Sequence, residues 1–233
     1  METKESGPKG ETSAFDAIAE AFDTWFTRNA NVFESELSAT RHFLSDPADT
    51  VSIGCGTGLF EERLGIRRGC EPSEGMARLS RKRGIDVKIG PAEAVPFGDA
   101  SAGCVLLSTI LSYVKDRPKS MSEAFRVLRP GGTIVLSNLP KEGSYAMLYD
   151  LAALKGKYNP ETAPAHPYPI EFVEEGTWVS TDEVIRLLKG AGFVDLEFVQ
   201  TLTRHPKYTN DSIEEPVPGY DKGDFVVVRA RKP

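Results

Sequence analysis

The 233-residue sequence has few of the residues that bind metals or form disulfides. Its three cysteines, Cys55, Cys70 and Cys104, show no CxxC spacing, and its three histidines lie far apart, so no metal site is predicted. Free cysteines are commonly buried, and we expect these three to be reduced and packed as small apolar residues. No long Lys or Arg block occurs and the net charge is −6, which argues against a nucleic-acid partner and favours a small molecule.

Long apolar runs are also missing. None approaches the roughly 20 residues that span a bilayer, so no membrane span is predicted. Residues 1–12 are polar and lack the apolar core and cleavage site of a secretory signal. We therefore expect a cytoplasmic protein, monomeric or homodimeric, with a disordered tail over residues 1–13. With 40% hydrophobic and 27% charged residues, residues 14–233 are expected to form one globular domain.

Hydrophobic periodicity divides this domain into alternating elements. Apolar residues at three- and four-residue steps predict a helical lid over residues 14–45. Strands and helices then alternate up to residue 138, which is typical of a parallel sheet with both faces covered. Residues 140–178, rich in proline, predict an insertion over the active site. The predicted strands span residues 49–53, 66–71, 86–89, 102–107, 133–138, 194–201 and 225–230, the last two separated by a loop over residues 202–223.

A glycine-rich loop follows the first strand. Its members are Gly54, Cys55, Gly56, Thr57 and Gly58. Glycine lets the backbone approach a ligand closely, and a loop that opens a helix presents free N–H groups. The spacing is GxGxG and not GxGxxG, because Leu59 stands at the last position, which disfavours a nicotinamide cofactor. The alternative is a tight strand-to-helix turn that binds nothing.

Glu71 ends the next predicted strand, 17 positions after Gly54. A carboxylate there can accept hydrogen bonds from both ribose hydroxyls of an adenosine group. The alternative interpretation is an acidic strand end that faces water.

Four segments carry a family resemblance. Residues 51–58 (VSIGCGTG) resemble the first motif of the class I methyltransferases, and residues 69–76 (GCEPSEGM) resemble the second. Residues 90–97 (GPAEAVPF) are similar to the adenine-binding segment of the subgroup that includes the ubiquinone and menaquinone methyltransferases. Residues 127–133 (VLRPGGT) are similar to the turn before its fifth strand.

The resemblance implies S-adenosylmethionine (SAM) as cofactor and S-adenosylhomocysteine (SAH) as product. It also implies a Rossmann-like, seven-stranded, mostly parallel sheet with helices on both faces and an antiparallel last strand. The family often has Asp where Pro91 stands, so the Ala92 backbone, the Glu93 side chain or water would replace that adenine contact. The implied cofactor-binding residues are Gly54, Cys55, Gly56, Thr57, Gly58, Glu71, Pro72, Met76, Ala92, Glu93, Ser108, Thr109, Tyr113, Phe15 and Trp25.

Phe15 and Trp25 belong to an N-terminal segment similar to one that closes over the cofactor in this subgroup. Aromatic residues at helical spacing are also typical of core packing, and both alternatives stay open. The basic run Arg78, Arg81, Lys82 and Arg83 predicts a solvated helix face.

The acceptor is not identified by any motif. A sulfonium already activates its methyl group, so the enzyme needs mainly to position a nucleophile and exclude water. Tyr145, Tyr149, Tyr158, Tyr168, Tyr208 and Tyr220 form an aromatic pocket or pack beneath loops. The candidates for a general base are His166, Tyr113, Tyr145, His205, Tyr149 and Glu171.

The sequence thus predicts a methyltransferase that moves a methyl group from SAM to a small molecule through an N, O, S or C nucleophile. A non-catalytic SAM-binding sensor or partner subunit would keep the same motifs. An NAD-dependent oxidoreductase is a further alternative, although it would favour glycine at position 59.

Overall fold

The computed structural model describes residues 12–174 and 176–233, with side chains described from Ala19 onwards. Residues 1–11 of the predicted tail lie outside the described part of the chain. Its last two residues belong to the first helix, which begins at Thr12. The helices are α1 (Thr12–Arg28), α2 (Ala30–Phe43), α3 (Leu59–Leu64), α4 (Glu74–Lys82), α5 (Arg117–Val127), α6 (Ser144–Lys155), α7 (Ile170–Glu174) and α8 (Thr181–Gly190). The strands are β1 (Thr50–Ile53), β2 (Arg68–Glu71), β3 (Asp86–Ile89), β4 (Ala102–Ser108), β5 (Leu128–Asn138), β6 (Val194–Thr201), β7 (Val217–Pro218) and β8 (Phe225–Arg231).

The strands form one sheet in the order β3-β2-β1-β4-β5-β8-β6-β7. β1 pairs in parallel with β2 and β4, where Val51 is opposite Arg68 on one side and Val105 on the other. β8 runs antiparallel between β5 and β6, which confirms the Rossmann-like order and the antiparallel last strand. The chain leaves β1 in one direction and returns to its other side at β4. Ligands bind at the carboxyl edge beside such a switch point.

The sheet has eight strands where seven were predicted. The additional strand, β7, lies within the predicted loop and pairs Val217 with Gln200 and Pro218 with Val199 of β6. Two residues are too few to show strand alternation. Pro218 has no N–H to donate and is accommodated because β7 is an edge strand.

Alternation along β4 divides the core between the two faces of the sheet. Cys104 and Leu106 pack with residues of α1, α2, α3 and α6, whereas Val105 and Leu107 pack with α5 and α8. All four side chains are buried, since successive residues of a strand point to opposite faces. Helices cover both faces, as predicted.

The predicted lid consists of two helices. α1 ends at Arg28 and α2 begins at Ala30, with Asn29 between them in a non-helical conformation (φ −113°, ψ 49°). Nδ2 of Asn29 donates to the backbone oxygens of Trp25 and His166. The break therefore contacts the insertion.

Side-chain caps define the starts of three further helices. Ser73 accepts from Met76 N at the start of α4, and Asp116 accepts from Lys119 N at the start of α5. Ser180 accepts from Glu183 N and caps α8. Nowhere in the described part of the chain is a helix both long and apolar enough to cross a membrane.

Candidate active site

The glycine loop leaves β1 at the carboxyl edge of the sheet. Gly54 N and Cys55 N both donate to Cys70 O, at 2.8 and 3.0 Å, and Gly58 N donates to Cys55 O at 2.9 Å. The prediction of free amides was therefore wrong for these three residues, and also for Gly56, whose N donates to Glu71. Their hydrogen bonds hold the loop to β2 and to itself, which fixes its shape.

Two glycines of this loop are required for different reasons. Both have positive φ, 71° at Gly54 and 55° at Gly56, a region that L side chains rarely adopt. A Cβ on Gly54 would lie 2.7 Å from Cγ2 of Ile110, whereas a Cβ on Gly56 would meet nothing within 4 Å. Gly54 thus allows close packing inside the protein, and Gly56 borders open space.

Glu71 lies beside that open space. At the end of β2, its Oε2 accepts from Gly56 N at 2.9 Å and its Oε1 from Ser73 N at 3.0 Å. The side chain is only 7% exposed, so it is not the solvated strand end of the alternative interpretation. Two amides orient a carboxylate next to the loop, in a position suited to vicinal hydroxyls.

The end of β4 faces the same edge. Thr109 adopts a positive φ of 54°, unusual for a β-branched residue, and its N donates to Ser137 O at 3.0 Å. Ser108 Oγ lies 3.2 Å from Ser137 Oγ. A conformation of this kind costs about 1–3 kcal/mol and clusters at ligand sites.

The segment predicted for adenine lies after β3. Ala92 and Met76 are buried, and Pro72 is exposed. Oε1 of Glu93 accepts from Lys115 N at 3.1 Å and from Asp116 N at 3.2 Å. Glu93 thus ties the segment after β3 to the segment after β4.

Cys55 is packed as a small core residue. Its Sγ lies 3.7 Å from Ser80 Oγ, and burial raises the pKa of its thiol well above the ordinary value. Burial likewise raises the pKa of Cys70 to about 12. Neither thiol forms a reactive thiolate at neutral pH.

Trp25 packs in the core against the insertion. Its Nε1 donates to His166 O at 3.0 Å, and its ring lies edge-on to Tyr168 with centroids 5.2 Å apart. These contacts favour the packing alternative for Trp25. The side chain of Phe15 lies outside the described part of the structure.

A different residue of α1 contacts the glycine loop. Asp23 Oδ1 accepts from Thr57 Oγ1 at 2.6 Å, and Asp23 Oδ2 accepts from Arg83 at 2.6 Å. Arg83 also donates to Thr57 O at 2.8 Å. The prediction of a solvated helix face was wrong for Arg83. Its partner is 60 positions away, and no local pattern indicates such a contact.

Four of the six insertion and loop tyrosines form a cluster. Tyr149 is at its centre, with ring centroids 5.5 Å from Tyr145, 6.3 Å from Tyr158 and 5.9 Å from Tyr168. The phenol of Tyr168 also interacts electrostatically with that of Tyr113, which follows β4. We call Tyr113, Tyr145, Tyr149, Tyr158 and Tyr168 the tyrosine cluster. Tyr208 and Tyr220 are exposed and lie outside it.

The candidate bases differ in their surroundings. Burial raises the pKa of Tyr113 to about 12, and it raises the pKa values of Tyr145 and Tyr149 further. These phenols stay protonated at neutral pH. His166 and His205 have exposed side chains, and His205 Nδ1 accepts from Lys207 N. Glu171 is also exposed.

Two buried carboxyl groups were not anticipated from the sequence. Burial raises the pKa of Glu36 to about 8 and that of Glu61 to about 7. Glu61 Oε1 accepts from Ser52 Oγ at 2.7 Å beneath the glycine loop. Acids on amphipathic helices normally face water, so no sequence signal distinguishes these two.

The fold and the site together define a nucleotide-binding α/β protein. Residues 51–136 match the Methyltransferase domain family. A SAM-dependent methyltransferase of Thermotoga maritima, described as a possible histamine N-methyltransferase, is 32% identical, aligns over 95% of this chain and 99% of its own, and has a TM-score of 0.84. An uncharacterized protein of Methanocaldococcus jannaschii is 30% identical over 94% of this chain and 99% of its own. Demethylmenaquinone methyltransferase of Symbiobacterium thermophilum is 26% identical over 79% of this chain and 84% of its own.

The chain therefore belongs to the class I SAM-dependent methyltransferases. SAM is the cofactor of this family.

Proposed function

We propose that this methyltransferase holds SAM between the glycine loop and Glu71 and transfers its methyl group to a small molecule bound at the tyrosine cluster, releasing SAH. The observation that carries the proposal is the Glu71 carboxylate, 2.9 Å from Gly56 N beside open space. A buried, oriented carboxylate next to a glycine loop matches the chemistry of a ribose diol.

The other proposed cofactor contacts come from residues that lie at the carboxyl edge of the sheet. Gly56 admits the ligand because a side chain is missing where it faces open space. Ser108 and Thr109 at the end of β4 are proposed to contact the methionine portion. SAM supplies a methyl group already activated by its sulfonium, so the chain mainly positions the acceptor and excludes water.

The tyrosine cluster is the proposed acceptor side. Tyr113, just past the end of β4, lies within electrostatic range of Tyr168 in the insertion. Aromatic walls with a few polar groups are typical of small-molecule pockets. The names of the Thermotoga and Symbiobacterium relatives refer to histamine and to demethylmenaquinone, and they support a small-molecule acceptor.

Calorimetric titration of wild type, Glu71→Ala and Glu71→Gln with SAM, SAH and NAD tests the cofactor site. We expect binding of both adenosyl ligands, no binding of NAD, and a loss of about tenfold or more for Glu71→Ala, since hydrogen bonds to charged groups contribute about 1.5–3 kcal/mol. Glu197→Ala is the control, because Glu197 on β6 forms an ion pair with Arg229 on β8. Unchanged SAH affinity in Glu71→Ala would contradict the proposed site.

Transfer is tested separately by SAH release with panels of amines, phenols, thiols and carbon acids. SAM binding without turnover on any panel would favour the sensor or partner-subunit alternative. We also propose that the chain acts as a monomer or homodimer, without nucleic acid and in the cytoplasm. Light scattering and an RNA gel-shift assay test the first two statements.

A further inference from the structure

Glu36 is an acid on the core-facing side of α2. Its neighbours Phe33 and Leu37 belong to the apolar core on that face of the sheet, and Glu36 itself is only 5% exposed. The electrostatic neighbours of its carboxyl group include Tyr145, Tyr149 and Tyr168. Phe33 and Leu37 share that core with Tyr145 and Tyr149, so a buried acid of α2 lies within electrostatic range of the tyrosine cluster.

Two polar groups in this region have no hydrogen-bond partner within the described part of the chain. For Glu36, burial acts on the carboxyl group with no hydrogen bond or cation to offset it. Tyr149 is only 3% exposed, and its hydroxyl has no hydrogen bond among the described residues. Buried polar groups are nearly always hydrogen-bonded, because leaving one unsatisfied is unfavourable. The carboxyl group of Glu36 and the hydroxyl of Tyr149 are therefore both open to a hydrogen bond from a bound ligand or from water.

The cluster extends from Glu36 toward the end of β4, where the methionine portion of SAM is proposed to bind. Tyr113 follows β4, and its phenol is an electrostatic neighbour of Tyr168. The rings of Tyr168 and Tyr149 lie 5.9 Å apart, and those of Tyr149 and Tyr145 lie 5.5 Å apart. Aromatic faces attract cations, and organic ammonium groups are commonly held by several aromatic rings. Ionised by a bound ammonium group, Glu36 adds the opposite charge to such rings.

We infer that Glu36 is the counter-charge for an ammonium group of the acceptor, so that the acceptor of this enzyme is an organic amine. This inference rests on the proposed function, because it places the acceptor at the tyrosine cluster. It narrows the open choice among N, O, S and C nucleophiles to nitrogen.

The reaction balances with Glu36 in this role. An ammonium nitrogen must lose a proton before it can attack, and the Glu36 carboxylate accepts that proton. The nitrogen lone pair then forms a bond to the methyl carbon of SAM while the carbon–sulfur bond breaks. The electron pair of the broken bond stays on sulfur, which gives SAH. The product leaves as an N-methylammonium ion, and Glu36 releases its proton to water, so one proton is liberated in each turnover.

Binding of matched cationic and neutral probes tests the inference without turnover. Phenethylamine with phenethyl alcohol, benzylamine with benzyl alcohol, and choline with neopentylcarbinol are titrated into SAH-saturated wild type, Glu36→Gln and Glu34→Gln. Glu34 is the matched control, since it lies on the same helix but pairs with Arg63 at the surface. We expect at least one cation to bind about tenfold or more tightly than its neutral partner, and Glu36→Gln to abolish this preference.

Thermal unfolding separates recognition from a structural role. A buried acid kept for recognition is unfavourable for the unliganded fold, so Glu36→Gln should melt at the same temperature as wild type or higher while losing the cation preference. A cation preference that survives in Glu36→Gln, or no preference in any pair, would overturn the inference. Failure of SAH binding would instead contradict the proposed function, and the same titrations on unliganded protein would still test Glu36.

Discussion

Asp23 on α1 binds Thr57 of the glycine loop and Arg83 at the end of α4 at the same time, with both contacts at 2.6 Å. Arg83 also lies 3.4 Å from Glu62 on α3. The charged side chains of Asp23 and Arg83 are 22% and 21% exposed, so their pairing is less screened than that of a surface ion pair. The first helix is thus fastened to the loop proposed to hold the cofactor.

Asp23→Ala should loosen this attachment. It removes one hydrogen bond and one partly buried ion pair, together about 1–2 kcal/mol, and SAH affinity should fall by about three- to tenfold if α1 must be docked for binding. Calorimetry measures the affinity, and hydrogen exchange of α1 measures the docking.

Glu20→Ala on the same helix is the control, since Glu20 is exposed. Wild-type SAH affinity together with unchanged exchange of α1 in Asp23→Ala would show that the contact does not matter.

Local patterns made part of this site predictable. The glycine loop follows a short apolar strand, and Glu71 ends the next one, so strand periodicity alone places both at one edge of a parallel sheet. The methyltransferase motifs agree with this placement. The contacts of Asp23 and Arg83 could not be predicted in the same way, because they depend on how α1 packs against α4.

The remaining differences between prediction and structure concern two helix faces and one short strand. Arg83 was assigned to a solvated face because basic residues recur along α4, yet its side chain turns toward Asp23 and Thr57. Glu36 stands among apolar residues of α2, and an acid at that spacing gives no sign of burial. The strand β7 depends on pairing with β6 rather than on its own residues.

Alanine at two glycines of the loop should separate stability from binding. In Gly54→Ala the new Cβ lies 2.7 Å from Ile110, so we expect a stability loss of about 1–3 kcal/mol. In Gly56→Ala the Cβ meets nothing within 4 Å, so only the positive φ costs about 1–2 kcal/mol, while SAH binding should be lost. Urea unfolding and calorimetry measure the two quantities. Normal SAH binding by Gly56→Ala would place the cofactor elsewhere.

The buried carboxyl groups predict how stability depends on pH. Burial raises the pKa of Glu36 from 4.5 to about 8 and that of Glu61 from 4.5 to about 7, so each group binds its proton more tightly in the folded protein. The unfolded chain gives up these protons first as pH rises. The contribution of each group to the free energy of unfolding is therefore full below its unfolded pKa, and it falls by up to about 1.4 kcal/mol per pH unit until its folded pKa is reached.

Urea unfolding of Glu36→Gln and Glu61→Gln across this range checks the sign. Relative to wild type, Glu36→Gln should remove the loss of stability up to about pH 8, whereas Glu61→Gln should remove it only up to about pH 7. Glu34→Gln is the surface control. Parallel curves for wild type and Glu36→Gln would mean that this carboxyl is ionised in the folded protein over the whole range.

The phenol of Tyr113 should position the acceptor rather than remove its proton. Burial raises the pKa of Tyr113 to about 12, so the group stays protonated at neutral pH and can donate to the acceptor. With an acceptor from the screen, Tyr113→Phe should raise KM by about two- to tenfold, since one neutral hydrogen bond contributes about 0.5–1.5 kcal/mol, and leave the shape of the pH profile of kcat/KM unchanged. His166→Ala and His205→Ala, with exposed side chains, should stay within about twofold of wild type, because surface substitutions are usually worth within about 0.5 kcal/mol. Loss of a basic limb from the profile in Tyr113→Phe would identify the phenol as a proton-transfer group and contradict this assignment.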